Sequence, residues 1–188
     1  MSPLTQVFLS GLASRYDSEI QQVAGLSAMA RAATCADLQQ LLLTHHSETE
    51  SHVGKLERVF EALGVEVRGA DCGITAALLR DCDETTARCR DSPALNAALI
   101  ACAQKIEHQE IASYGCLREW AVLLGSKETA GLIEELLDQE KTANQALIKL
   151  AKFRCNPEAL DETVPDVPSS SDRFGHEIVG VKAPLGKR

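Results

Sequence analysis

The chain is poor in aromatic residues, proline and tryptophan: aromatics are 4% of its 188 residues, with six prolines and one tryptophan. Four of the prolines fall after residue 156, so Pro93 is the lone internal helix breaker between Pro3 and Asn156. No apolar run reaches about 18 residues, which excludes a helical membrane span. No basic segment followed by an apolar stretch stands at the N-terminus, so no signal peptide is expected. The seven cysteines show no C-x-x-C spacing, which excludes a zinc-ribbon pattern. Their odd number in a chain of this size argues against a disulfide framework. It fits reduced thiols in a cytoplasmic protein, several of them buried as small apolar residues. Positive charge is also scarce: Lys and Arg number 19 against 27 Asp and Glu, a formal charge of −8. Neither nucleic acid nor an anionic membrane is therefore expected as a partner.

What is present is helix-forming composition. Ala, Leu, Glu and Gln dominate long stretches, and 45% of the residues are hydrophobic. The length suits one domain with a substantial core. Apolar residues recur at helical spacing in four long segments. The first runs from Pro3 to about Ala33, with a stripe of Val7, Leu12, Tyr16, Glu19, Val23, Leu26 and Ala30. A break with capping character at Thr34–Asp37 leads to a second helix ending near Leu63, before the natural stop Gly64. A shorter helix is expected from Ile74 to Cys89. Ser92-Pro93 reads as the cap and first turn of a third long helix, which ends at about Leu124. Gly125 and Ser126 separate it from a fourth, reaching Phe153. No strand pattern is visible.

Two tight connections imply two antiparallel helix pairs, and the stretch 64–92 is long enough to cross between them. The expected fold is all-α: a ferritin-like four-helix bundle over residues 1–155 with a short crossover helix. Residues 156–188 turn rich in proline, serine and charge without periodicity, and are expected to be a flexible tail.

The chemistry lies in acids that share a stripe with apolar residues. Most glutamates on helices mark solvated faces. Glu19 instead falls midway between Leu12 and Leu26, and Glu48 lies between Leu41 and Leu56. Glu110 follows Ile106 by one turn, and Glu140 follows Leu136 by one turn. His45 and Glu107 precede Glu48 and Glu110 by three residues, so each pair can face one point. The separations Glu19–Glu48 and Glu110–Glu140 are 29 and 30 residues, which places the acids of the two hairpins at similar depth.

No Lys or Arg is expected on these stripes to neutralise five interior carboxylates, so the energetics favour cations. Two divalent ions would nearly balance them, and a carboxylate-rich set with an imidazole suits iron, or manganese, better than zinc. Glu48 and Glu110 are the expected bridging ligands, and Glu19, His45, Glu107 and Glu140 the terminal ones. Tyr16, His52 and Tyr114 are expected as supporting neighbours, with His52 read first as a satisfied core histidine. His46 and His108 are read as surface residues.

At Tyr16-Asp-Ser-Glu19, Ala32–Leu38, His45–Val53, Lys105–Gly115 and Leu136–Lys141 the sequence resembles the YciE/YciF family of ferritin-like, stress-associated bacterial proteins. The resemblance covers roughly residues 5–152. It implies a cytoplasmic ferritin-like fold, a di-metal site and a homodimer, and leaves the reaction open. The function expected from these readings is a di-iron carboxylate protein that reacts with oxygen or peroxide under stress. The alternative is a non-catalytic helical dimer or partner-binding protein. A thiol-based redox sensor ranks third, because no two cysteines lie close in sequence and none is obviously activated. The tail is read as a disordered end, and second as a docking peptide for a partner such as a shell protein.

Overall fold

A computed structural model describes residues 1–160. Its main elements are five helices: α1 (Pro3–Ala32), α2 (Ala36–Ala62), α3 (Gly73–Cys89), α4 (Leu95–Leu123) and α5 (Lys127–Leu150). A π-helical turn, Ala151–Cys155, and a short α6, Asn156–Glu158, follow. No strand occurs among the described residues. The expected tail and its docking role fall mostly on residues 161–188, outside the described residues.

The long helices close a ring in which α1 packs on α2 and α4, and α5 packs on the same two. The crossover helix α3 lies against α1 and α4. This is the ferritin-like bundle with a crossover helix expected from the loop lengths. Gly125 makes the α4–α5 connection with φ +78, a conformation that favours glycine, while Ser126 N–H donates to the Ala121 carbonyl at 3.0 Å.

Three local expectations need correction. Ser92-Pro93 forms a turn, and α4 begins at Leu95; Ser92 Oγ accepts from Ala94 N–H two residues on. The α1–α2 connection has no side-chain cap of its own. Asn96 of α4 supplies it from across the bundle: its Oδ1 accepts from Thr34 and Cys35 N–H at 3.0 and 3.1 Å. The last helix does not run straight to Phe153 but widens into the π turn after Leu150, which buries Cys155.

The interior is divided. One apolar cluster holds Leu26, Leu38, Leu42, Leu99 and Leu147. The other holds Phe8, Leu12, Leu56, Leu117, Ile133 and Leu136. Each such leucine stabilises the fold by about 1.5–3 kcal/mol on burial. A buried polar layer lies between the clusters in sequence on every long helix: Glu19 between Leu12 and Leu26, and Glu140 between Leu136 and Leu147.

Candidate metal centre

The four long helices each contribute to that layer. α1 brings Arg15, Ser18, Glu19 and Gln22; α2 brings His45, Thr49 and His52; α4 brings Glu107, Glu110 and Tyr114; α5 brings Glu140 and Asn144. Within the layer two groups of ligand-type atoms converge to within 4.8 Å: His45, Glu107, Glu110 and Glu140, and beside them Glu19, His52 and Glu140. Glu140 belongs to both.

His45 Nε2 lies 3.0 Å from Glu107 Oε1 and 3.5 Å from Glu140 Oε2. His52 Nδ1 lies 3.0 Å from Glu140 Oε1 and 3.5 Å from Glu19 Oε2. These approaches lack hydrogen-bond alignment, so both imidazole nitrogens stand without a hydrogen-bond partner. Glu19 Oε2, Glu107 Oε2, Glu110 Oε2 and both Glu140 oxygens are unpartnered too. Among the described residues, every buried unpartnered side-chain N or O except Arg118 Nε lies in this layer. Buried polar atoms normally find partners, so this concentration suits a layer that holds a cation.

The expected residues do not all occupy the same layer. Glu48 stands at the rim with its side chain 37% exposed, and meets His45 Nδ1 at 3.3 Å. It lies outside both groups of converging atoms. There it faces a cavity of about 370 Å³ between α2 and α5, lined also by Asp37, Thr44, His45 and Thr142. Tyr16 is turned away, donating to Glu57 Oε1 at 2.9 Å and packing edge-on against Phe60. Tyr114 is fully buried and donates to Glu19 Oε1 at 2.5 Å. His52 stands among the ligand-type atoms rather than beyond them.

One expectation is overturned. A cation does lie on the core face: Arg15 is 2% exposed, its Nε 3.6 Å from Glu19 and its Nη2 3.4 Å from Glu110. The apolar stripe of α1 is rotated from the expected one, since Val7 is 52% exposed and Phe8 is buried. Arg15, Ser18 and Gln22 occupy the face that the wrong rotation gave to Tyr16 and Val23. Only the spacing to Leu12 and Leu26 could have found them, and polarity masked it. Gln22 Nε2 donates to Glu110 Oε1 at 2.7 Å, and Arg15 Nη1 to Gln109 Oε1 at 2.7 Å.

These neighbours set the protonation. Burial opposes charge on Glu19, but His52 and Arg15 outweigh it and hold its pKa down to about 2. Burial and the repulsion of Glu140 and Glu19 push Glu110 well above the carboxylate range. Burial raises Glu140 to about 7 against the pull of His52. At His52 burial disfavours the cation, yet Glu140 and Glu19 lift its pKa to about 9. At His45 burial is likewise outweighed, first by Glu107 and Glu48. Without metal these shifts favour the protonated forms of both histidines and of Glu110.

Helices, ring order, crossover and an interior set of carboxylates and imidazoles define a ferritin-like helical bundle with a potential metal centre. The chain belongs to the family described as a domain of unknown function, DUF892, whose model matches residues 3–160. It is 32% identical to Protein YciF of Escherichia coli (strain K12) over 160 residues, 85% of this chain and 96% of that protein. The crystal structure of the E. coli stress protein YciF superposes with TM-score 0.79 at 32% identity, covering 83% of this chain and 99% of that one. YcfI of Rhodopseudomonas palustris gives 0.75 at 35% identity, over 78% and 94% of the two chains. A protein of Xanthomonas campestris, 23% identical, shares the fold at TM-score 0.66, over 82% and 95%. No described helix is long and apolar enough to cross a membrane.

Proposed function

We propose that this protein binds two divalent metal ions, iron or in second place manganese, in the layer between its apolar clusters, and reacts there with oxygen or peroxide during stress. The observation that carries the reading is the set of unpartnered carboxylate and imidazole atoms converging from four helices. Charge supports it. Glu19, Glu107, Glu110 and Glu140 less the guanidinium of Arg15 leave three negative charges in the layer, and Glu48 at the rim adds a fourth, which two divalent ions would balance.

His45, Glu107, Glu110 and Glu140 would hold one ion; Glu19, His52 and Glu140 the other, with Glu140 shared. Bound metal would supply the redox chemistry. The chain's own part is positional. Tyr114 fixes Glu19, Gln22 fixes Glu110, and apolar clusters flank the layer on either side. Glu48, at the mouth of the α2–α5 cavity and 3.3 Å from His45 Nδ1, would meet a cation entering from solvent. Loading displaces the protons on His45, His52 and Glu110.

The test is metal content after anaerobic ferrous loading, with a parallel manganese arm. About two ions per chain are expected, falling below one in Glu110→Ala and Glu140→Ala. Fewer than one ion in the unaltered protein overturns the reading.

A second reading is favoured by Arg15, which gives the acids a resident counter-charge. The protein would then be a non-catalytic homodimer or partner-binding stress protein whose polar layer is structural. It expects no change in melting temperature on chelation and no oxygen consumption with ferrous iron, whereas the metal centre expects both to respond.

A further inference from the structure

Three further ligand-type side chains meet at one end of the bundle, outside the polar layer. Cys35 Sγ, Cys155 Sγ and a carboxylate oxygen of Glu158 lie within 4.8 Å of one another. Both thiols are buried in the apolar cluster around Leu38 and Leu99, and Glu158 is exposed at its rim. Among the described residues, no other cysteine belongs to such a three-ligand group.

Two separate features of the backbone bring the sulfurs together. Cys35 is the N-cap residue of α2, yet its side chain makes no capping hydrogen bond. Its N–H donates to Asn96 Oδ1 at 3.1 Å, and the sulfur is left without a capping role. The position lies at the positive end of a 27-residue helix, where a thiolate is favoured. Cys155 closes the π turn Ala151–Cys155, an irregularity of a kind that recurs at functional sites, and it is turned inward there. Glu158 follows three residues later on α6, on the same helical face.

The surrounding charges leave room for a cation. Arg154 donates through Nε to Glu158 Oε1 at 3.2 Å and through Nη1 to Asp37. A carboxylate has two oxygens, so Glu158 can keep Arg154 on one and offer the other to an ion. Once ionised, two sulfurs and Glu158 carry three negative charges, enough to hold a divalent ion beside the Arg154–Asp37 pair. Sulfur decides which kind of ion. The polar layer offers oxygen and imidazole, whereas two thiolates with one carboxylate suit a softer ion such as zinc.

We infer that Cys35, Cys155 and Glu158 bind one zinc-class divalent ion, separate from the centre in the polar layer, which ties the α1–α2 connection to the end of α5. Three protein ligands leave a fourth, tetrahedral position for water. Binding displaces both thiol protons. Arg154 is a positioning residue that holds Glu158 in place. Sequence spacing hid the site, because its two cysteines stand far apart and neither belongs to a C-x-x-C pair.

Cobalt(II) is the probe, because its bonds to thiolate give a near-ultraviolet charge-transfer band that carboxylates and imidazoles do not give. The full chain is reduced with a phosphine, stripped with chelator and titrated with cobalt without air. The band is expected to appear and to be bleached by added zinc. It is blind to ions held only by the polar layer, so its outcome is separate from that of the ferrous loading. Cys35→Ser and Cys155→Ser are each expected to remove most of the band. Glu158→Gln, an exposed change, is expected to weaken cobalt binding at this site roughly tenfold. Cys82→Ser and Cys102→Ser are expected to keep the band, with helical content by circular dichroism unchanged in every variant. No band in the unaltered protein, a band that survives Cys155→Ser, one lost from folded Cys82→Ser or Cys102→Ser, or unchanged affinity in Glu158→Gln would each overturn the proposal.

Discussion

Arg15 shows how much one side chain can alter a charge argument. Five interior carboxylates without a counter-ion require two cations or several protons. With Arg15 in place, Glu19 stays ionised in either state and the remaining acids share the demand. The guanidinium itself is held protonated: burial opposes the charge, but Glu110 and Glu19 more than compensate. Replacing it strands Glu19 in an apolar interior. Arg15→Met is expected to lower the stability of the metal-free protein by about 3–5 kcal/mol, read by urea unfolding under chelator. Added metal should restore part of that loss, because ions then take over the guanidinium's role.

At the scale of helices, the sequence was most legible where apolar spacing was unbroken. On α2 the buried face runs Leu38, Leu42, His45, Thr49, His52 and Leu56, and on α5 Ile133, Leu136, Glu140, Ala143 and Leu147, both at helical spacing visible in the sequence. α1 was not legible in this way, because its core face carries Arg15, Ser18 and Gln22, and a stripe sought among apolar residues settles on the neighbouring one. Glu19 survived the error because it lies where the two stripes meet. The cap supplied by Asn96 was illegible for another reason: it acts from 61 and 62 residues away. Close helix approach is equally hidden. Gly25 of α1 leaves room for Leu79 of α3, whose methyl would clash with any Cβ there. Gly25→Val is expected to cost about 1–3 kcal/mol by prising α3 from α1, seen as lower thermal stability and faster amide exchange in residues 73–89.

For the molecule as a whole, the polar layer ties stability to pH. The folded pKa of His52, about 9, lies above its ordinary 6.5, so its contribution is complete below pH 6.5 and lost as pH rises through 9. Glu140 at about 7 acts in the same sense, since its folded value also lies above the unfolded one. Glu19 works oppositely: its contribution is present above about pH 4.5 and lost as pH falls toward 2. Metal-free protein is therefore expected to lose melting temperature between pH 6.5 and 9, and metal-loaded protein to lose much less. A flat profile for the metal-free form would show that the histidines do not carry these charges. The bundle and most of the layer were thus readable from periodicity. The sharing of Glu140, the rim position of Glu48 and the α2–α5 cavity were not, because they depend on how far each helix is rotated and slid against its neighbours.

The wide turn after Leu150 has a consequence for register. At 3.6 residues per turn, position 154 would return to within about 20° of Leu147, and position 155 would point well aside. A straight α5 would thus bring Arg154 toward the core. The π turn shifts the phase, so that Cys155 goes inside and Arg154 stays out to pair with Asp37 and Glu158. The segment behaves as an absorbed insertion: the residues before it keep one frame, those after it keep another, and the periodicity of α5 cannot be carried across the join.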